Sequence, residues 1–182
     1  MHRQALVEKL TEYRPEFEIE VEFRASFLSF IKQYSDCFER TQKVGHITGS
    51  AWIINKTGNK ALLTHHKKLD RWLQLGGHAD GEPDVIKVSR KEAEEESGLM
   101  SLQLHSENIF DIDIHTIPAR KADPEHLHYD VRFLFIADEN ESLTISQESK
   151  NLAWIAFEDL KIKSNHNESI LRMAKKSETL IL

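Results

Sequence analysis

Residues 71–99, RWLQLGGHADGEPDVIKVSRKEAEEESGL, decide how the rest of the chain is read. They predict a short strand (71–75), a glycine turn at Gly76-Gly77 and a helix (83–97) stopped by Gly98, with Pro83 opening the helix where a missing N–H costs nothing. At about 100° per residue, Val85, Val88, Glu92, Glu95, Glu96 and Leu99 fall in one stripe. Lys87, Arg90, Lys91 and Glu94 occupy the other side, so the carboxylates are expected on the core-facing side. Such carboxylates repel one another and burial penalises their ionisation. Bound magnesium or manganese, hard ions that take carboxylate oxygens, would offset both penalties. Gly76-Gly77 would let backbone carbonyls approach the same ligand. The competing reading is a solvated Glu-rich helix face; the phase relative to Val85, Val88 and Leu99 argues against it.

These residues resemble the Nudix box: glycine, five residues, Glu, seven residues, then Arg-Glu-aliphatic-x-Glu-Glu-x-Gly-aliphatic. Gly77 and Lys91-Glu92-Ala93-x-Glu95-Glu96-x-Gly98-Leu99 match it, with two departures. Lys91 stands for the box arginine, losing bidentate geometry. Pro83 stands where the first glutamate belongs, and Glu82, one residue early, takes that role. The resemblance covers about residues 44–175 and implies an α/β/α sandwich with a mixed β-sheet, which leaves 1–42 as an N-terminal helical extension to a domain at 43–182.

The rest of the chain fits that frame. Residues 2–13 and 17–34 read as helices whose apolar residues recur at helical spacing. Residues 46–54, 60–66, 110–117, 126–135 and 152–157 read as strands, and 168–177 as a last helix. Strands on both sides of a helix indicate a mixed sheet covered on both faces. In 110–117 and 126–135, polar residues alternate with apolar ones, and the connection suits an antiparallel pair. Their polar face meets either water or a cleft, and its histidines, acids and arginine favour the cleft. Trp52, Trp72 and Trp154 are expected in core packing.

A net charge of −6 provides no basic footprint for nucleic acid, and no apolar run approaches membrane-spanning length. The single cysteine, Cys37, cannot form an internal disulfide, and the chain is read as cytoplasmic. The length beyond a minimal domain serves a bulky substrate half or a homodimer contact.

By resemblance, the chain is a metal-dependent pyrophosphohydrolase using water to cut the diphosphate of a nucleoside diphosphate linked to another moiety: a nucleotide sugar, a dinucleotide or an NTP. The Gly76 carbonyl, Glu92, Glu95 and Glu96 would hold Mg²⁺ or Mn²⁺, with Glu92 or Glu148 as general base. His78 would sit at the cleft mouth; His46, His115, His126, His128, Arg120 and Arg132 are candidates for substrate contact, and Asp130 either joins them or orients His128. The His-x-His at 126–128 invites zinc, but no cysteine lies nearby and the glutamates already account for a harder ion. Two alternatives remain: a nucleotide-binding module that keeps the fold without the reaction, and an isoprenoid-diphosphate isomerase. The latter wants a cysteine in the cleft, whereas Cys37 lies in the extension.

Overall fold

The structure, a computed structural model, describes residues 2–120 and 124–180. Its centre is β1 (Gly45–Asn55), every residue of which is buried. One edge of β1 pairs in parallel with β7 (His126–Ala137) along its whole length, from Gly45 opposite Leu127 to Asn55 opposite Ala137. Its other edge is shared. β4 (Leu75–His78) pairs with Thr48–Ala51, and β2 (Lys60–His66) meets it only at Ile54 opposite Ala61. The sheet therefore forks at β1. β3 (Arg71–Leu73) and β8 (Ser149–Ala156) flank β2, while β5 (Gln103–Leu104) and β6 (Asp111–Ile117) flank β7. All these pairings except β1 with β7 are antiparallel, so the sheet is mixed, as expected.

Helices cover both faces. Ile47, Ala51, Val131 and Phe133 lie in one apolar cluster with Val85, Val88 and Ala93 of α3 (Val85–Ser97). The same cluster takes Leu6 and Leu10 of α1 (Gln4–Glu12) and Phe27, Phe30 and Ile31 of α2 (Glu18–Gln33). Phe30 stacks on Tyr129 with ring centroids 4.0 Å apart. The N-terminal helices thus share the sheet's own core. On the opposite face, Trp52, Ile54 and Leu134 pack under Ile170, Met173 and Ala174 of α5 (Glu168–Ser177). A 3₁₀ turn (Phe157–Asp159) and α4 (Leu160–Lys163) lead into α5. No helix among the described residues is long and apolar enough to cross a membrane.

Trp52 is buried, and its indole N–H donates to Ser177 Oγ at 2.8 Å. Cys37 is buried too, which pushes its thiol up to about 11, so it is a packed side chain and not a nucleophile.

The polar face of β6 and β7 meets neither water nor a cleft over most of its length. Arg132, fully enclosed, pairs with Asp130 at 2.7 Å, Asp111 at 3.0 Å and Asp113 at 3.3 Å. From α5, Arg172 reaches Asp111 at 2.8 Å and Asp113 at 3.1 Å; Lys176 reaches Asp111 at 2.9 Å and also pairs with Glu20 of α2. Burial opposes ionisation of Asp111, but Arg172, Arg132 and Lys176 outweigh it and hold the carboxyl at about 2. This network ties both helical layers to the sheet. It also corrects the expectation for Arg132 and Asp130. The Arg132 guanidinium is spent on buried carboxylates and does not face a phosphate. Asp130 accepts from Ser50 Oγ at 2.8 Å, Thr48 Oγ1 at 2.9 Å and Gln74 Nε2 at 3.2 Å besides Arg132, so it does not orient His128.

Candidate active site

The helix that carries the glutamates starts two residues later than expected. Asp84 is the N-cap, its side chain accepting from the Lys87 N–H at 3.3 Å, and Pro83 precedes the cap. Glu82 accepts from the Asp84 N–H at 3.1 Å and lies 3.2 Å from Lys87 Nζ, so it braces the helix start. Gly98 ends the helix in the left-handed conformation, φ 73°, with its N–H on the Glu94 carbonyl.

The buried stripe of α3 is Val85, Val88, Ser89, Ala93 and Ser97, and its turns bring Glu92 and Glu96 against β4. The Gly76 N–H donates to Glu96 Oε2 at 3.3 Å. A Cβ at Gly77 would stand 2.4 Å from Glu92 Oε2, so any larger residue there would push the carboxylate out of its present position. Glu95 departs from the expectation. It is one residue, about 100°, round from Glu96. Its side chain is 60% exposed and pairs with Lys91 Nζ at 3.7 Å, so three inward glutamates become two.

Burial raises the Glu92 carboxyl and pushes Glu96 up to about 8. The charge of Glu148, just before β8, adds to both rises and also bears on His78. No basic side chain reaches Glu96; the Gly76 N–H is its one hydrogen-bond donor among the described residues. Half-buried carboxylates beside a glycine-lined backbone, Glu96 without an ion-pair partner among the described residues, fit a hard divalent cation. The Gly76 carbonyl, Glu92 and Glu96 are the residues that would hold it.

On the sheet face away from α3 lie five histidines. His46 and His128 stand opposite one another on β1 and β7, His115 opposite His128 on β6, and His126 at the start of β7. His78 on β4 lies opposite Thr48. The His46 ring is 4.8 Å from His128 and 4.9 Å from both His78 and His126. Burial and neighbouring histidines lower His46 to about 4 and His128 to about 2, and burial with Arg40 lowers His78. His46 Nδ1 and Nε2 and His128 Nε2 are buried without a hydrogen-bond partner among the described residues, although the Gln42 backbone lies close to the His46 ring. Each such atom costs about 1–3 kcal/mol unless something satisfies it. A cavity of about 160 Å³ opens over them, lined by Arg40, Lys43, His46, His78 and His126. A larger one, about 410 Å³, lies between the ends of α1 and α5 and contains none of the expected site residues.

The structure therefore brings together Gly76, Glu92 and Glu96, with Glu148 electrostatically coupled to both glutamates, and gathers His46, His78, His115 and His128 on the other face of the sheet. Arg120 is exposed on the connection after β6. Sequence reasoning missed Arg40 and Asp80, which form a charge-assisted pair at the cavity's edge. Arg40 lies in the extension, where no spacing pointed to it.

Comparisons with known proteins identify the family and the fold. The NUDIX domain family matches residues 46–174. No curated protein matches the chain. Among solved structures, a NUDIX-family hydrolase from Clostridium perfringens is 27% identical, covers 75% of this chain and 98% of its own, and superposes with a TM-score of 0.53. An Ap4A hydrolase from C. elegans is 18% identical over 72% of this chain and 94% of its own, TM-score 0.58. The E. coli dihydroneopterin triphosphate pyrophosphohydrolase is 11% identical over 74% and 96%, TM-score 0.58. With the domain match spanning most of the chain and the two inward glutamates seated against the glycine pair, this protein belongs to the Nudix family and is a hydrolase of phosphoric anhydride bonds.

Proposed function

We propose that the chain is a Mg²⁺- or Mn²⁺-dependent pyrophosphohydrolase acting in the cytoplasm, with water cutting the diphosphate of a nucleoside diphosphate joined to a second group. The observation that carries this reading is Glu96: a half-buried carboxyl set against the glycine pair, whose one hydrogen-bond donor among the described residues is the Gly76 N–H and which has no ion-pair partner there, so that a bound cation would supply its counter-charge. Gly76 through its carbonyl, with Glu92 and Glu96, holds the ions. When bound, a divalent ion neutralises charge on the diphosphate, acidifies the attacking water and stabilises the leaving phosphate. Glu92, less enclosed than Glu96 and raised by burial, takes the proton of the attacking water at its carboxylate. Glu148 holds a negative field over both and is the alternative base. His78 and the histidine face beside it receive the rest of the substrate. Two of the similar folds are named for Ap4A and dihydroneopterin triphosphate, each a phosphoric anhydride on a large organic group, which favours a bulky second half.

The test is a hydrolysis screen. Purified protein with Mg²⁺ or Mn²⁺ is offered nucleotide sugars, dinucleotides and NTPs, and products are identified by mass spectrometry. Turnover of at least one class, abolished by EDTA, is expected. Folded protein that turns over none of them overturns the reading.

A further inference from the structure

We propose that His46, His78 and His128 form a second metal centre, a zinc site of three imidazole ligands whose fourth position opens to the cavity lined by Arg40, Lys43 and His126. One ring nitrogen from each of the three lies within 4.8 Å of the others, and among the described residues these are the three side chains whose donor atoms converge in this way. Zinc bonded to nitrogen at about 2.0–2.1 Å spaces tetrahedral donors about 3.4 Å apart, so small side-chain rotations close the set. Three adjacent strands deliver the rings from fixed positions. His46 and His128 are in register on β1 and β7, and His78 follows the glycine pair on β4. Rigid sheet positions are what a preorganised metal site requires.

The second observation is the lack of partners. Both nitrogens of His46 and Nε2 of His128 are buried and unpaired among the described residues. Protonating these rings to grip an anion would place unpaired positive charge in a desolvated spot next to other imidazoles. Neutral imidazole lone pairs instead suit a borderline-soft ion such as zinc, and do not suit magnesium. The neighbouring rings have hydrogen-bond partners of their own, His115 on Asp113 Oδ2 at 3.3 Å and His126 on the Pro124 carbonyl at 2.8 Å, which leaves His46, His78 and His128 as the converging donors. With three protein ligands the fourth position is open, facing a cavity with cationic side chains, where water or an anionic oxygen would sit. This centre is separate in donor chemistry from the carboxylate site, and its failure leaves the proposed hydrolysis standing.

The test strips the full chain with chelator and titrates ZnCl₂ in excess Mg²⁺, following heat and bound zinc by mass spectrometry. One equivalent per chain is expected in the wild type and in Glu96→Gln. His46→Asn with His128→Asn should weaken zinc by more than the roughly 10–100-fold that losing an outer-shell partner costs. In case that pair fails to fold, His78→Ala is run beside it with a thermal melt, and Co²⁺-loaded wild type is examined for the strong visible bands of a tetrahedral nitrogen-ligated ion. No zinc in the wild type, zinc retained by folded histidine variants, or zinc lost from Glu96→Gln alone overturns the proposal. So does metal-free binding of inorganic phosphate that depends on His46 and His128, because it makes the cluster an anion clasp.

Discussion

Two polar patches share the sheet, and they are built on opposite terms. Around Arg132, every buried charge has a partner: Asp111, Asp113 and Asp130 are matched by Arg132, Arg172 and Lys176 at 2.7–3.3 Å. At the β4–α3 end, half-buried Glu96 and buried His46 lack such partners among the described residues. Glu96 has one weak backbone donor, and His46 has no hydrogen bond among the described residues. Burial acts on both patches, yet Asp111 is held at about 2 while Glu96 is pushed to about 8. The difference is the counter-charge. Saturated charge fixes the fold; unsaturated charge awaits a ligand. Opposite outcomes for matched substitutions would test that contrast.

The largest effect is expected at Glu96. Glu96→Gln should lower kcat by about 1000-fold, the equivalent of ~4 kcal/mol of lost transition-state stabilisation, without lowering the melting temperature. Steady-state kinetics and a thermal melt check this; unchanged turnover removes Glu96 from the reaction. The mirror experiment is Arg132→Met. It removes the one ion-pair partner that Asp130 has among the described residues and a partner that Asp111 and Asp113 share with α5, and should cost about 3–5 kcal/mol in chemical denaturation. A loss below about 1 kcal/mol would mean the network is not holding the layers together.

Acid sharpens the same contrast. The folded Asp111 carboxyl lies below its ordinary value of 3.8, so its stabilising contribution is complete above that value and is lost as pH falls through about 2. Denaturation followed by circular dichroism should show stability falling from about pH 4 downward. Arg172→Met, which removes the nearest partner of Asp111, should move that fall to higher pH. The smallest effect is expected at Glu95. Its exposed pair with Lys91 is worth less than ~1 kcal/mol, and Glu95→Gln should cost tenfold or less in kcat. A loss as large as that of Glu96→Gln would put Glu95 in the metal set on equal terms.

Much of this was legible beforehand, for identifiable reasons. The strand at Lys60–His66 and the helix at Glu168–Ser177 were expected at those bounds, and the strand at Asp111–Ile117 to within one residue; the last strand, expected at 152–157, starts at Ser149, three residues earlier. The β6–β7 antiparallel pair followed from its short connection. The parallel pairing of β1 with β7 did not, because a strand buried at every position carries no sign of its neighbour or direction. The alternation of acids on β6 was visible, but Arg172 and Lys176 that cover them come from a helix far along the chain. Glu95 was misplaced because a stripe read from spacing is good only to about one residue of rotation, and one residue separates an inward carboxylate from an outward one. The histidine trio was hidden for a third reason: its members sit on three strands, and only the sheet register brings them together.

The central claim is that Glu92 and Glu96, turned inward against Gly76, exist to hold a divalent cation. Titration calorimetry of the chelator-stripped protein with MgCl₂ and MnCl₂, wild type against Glu92→Gln with Glu96→Gln, tests it most directly. Saturable uptake by the wild type that disappears in the double variant is the predicted result. No uptake by folded wild type, or equal uptake by both proteins, would contradict it.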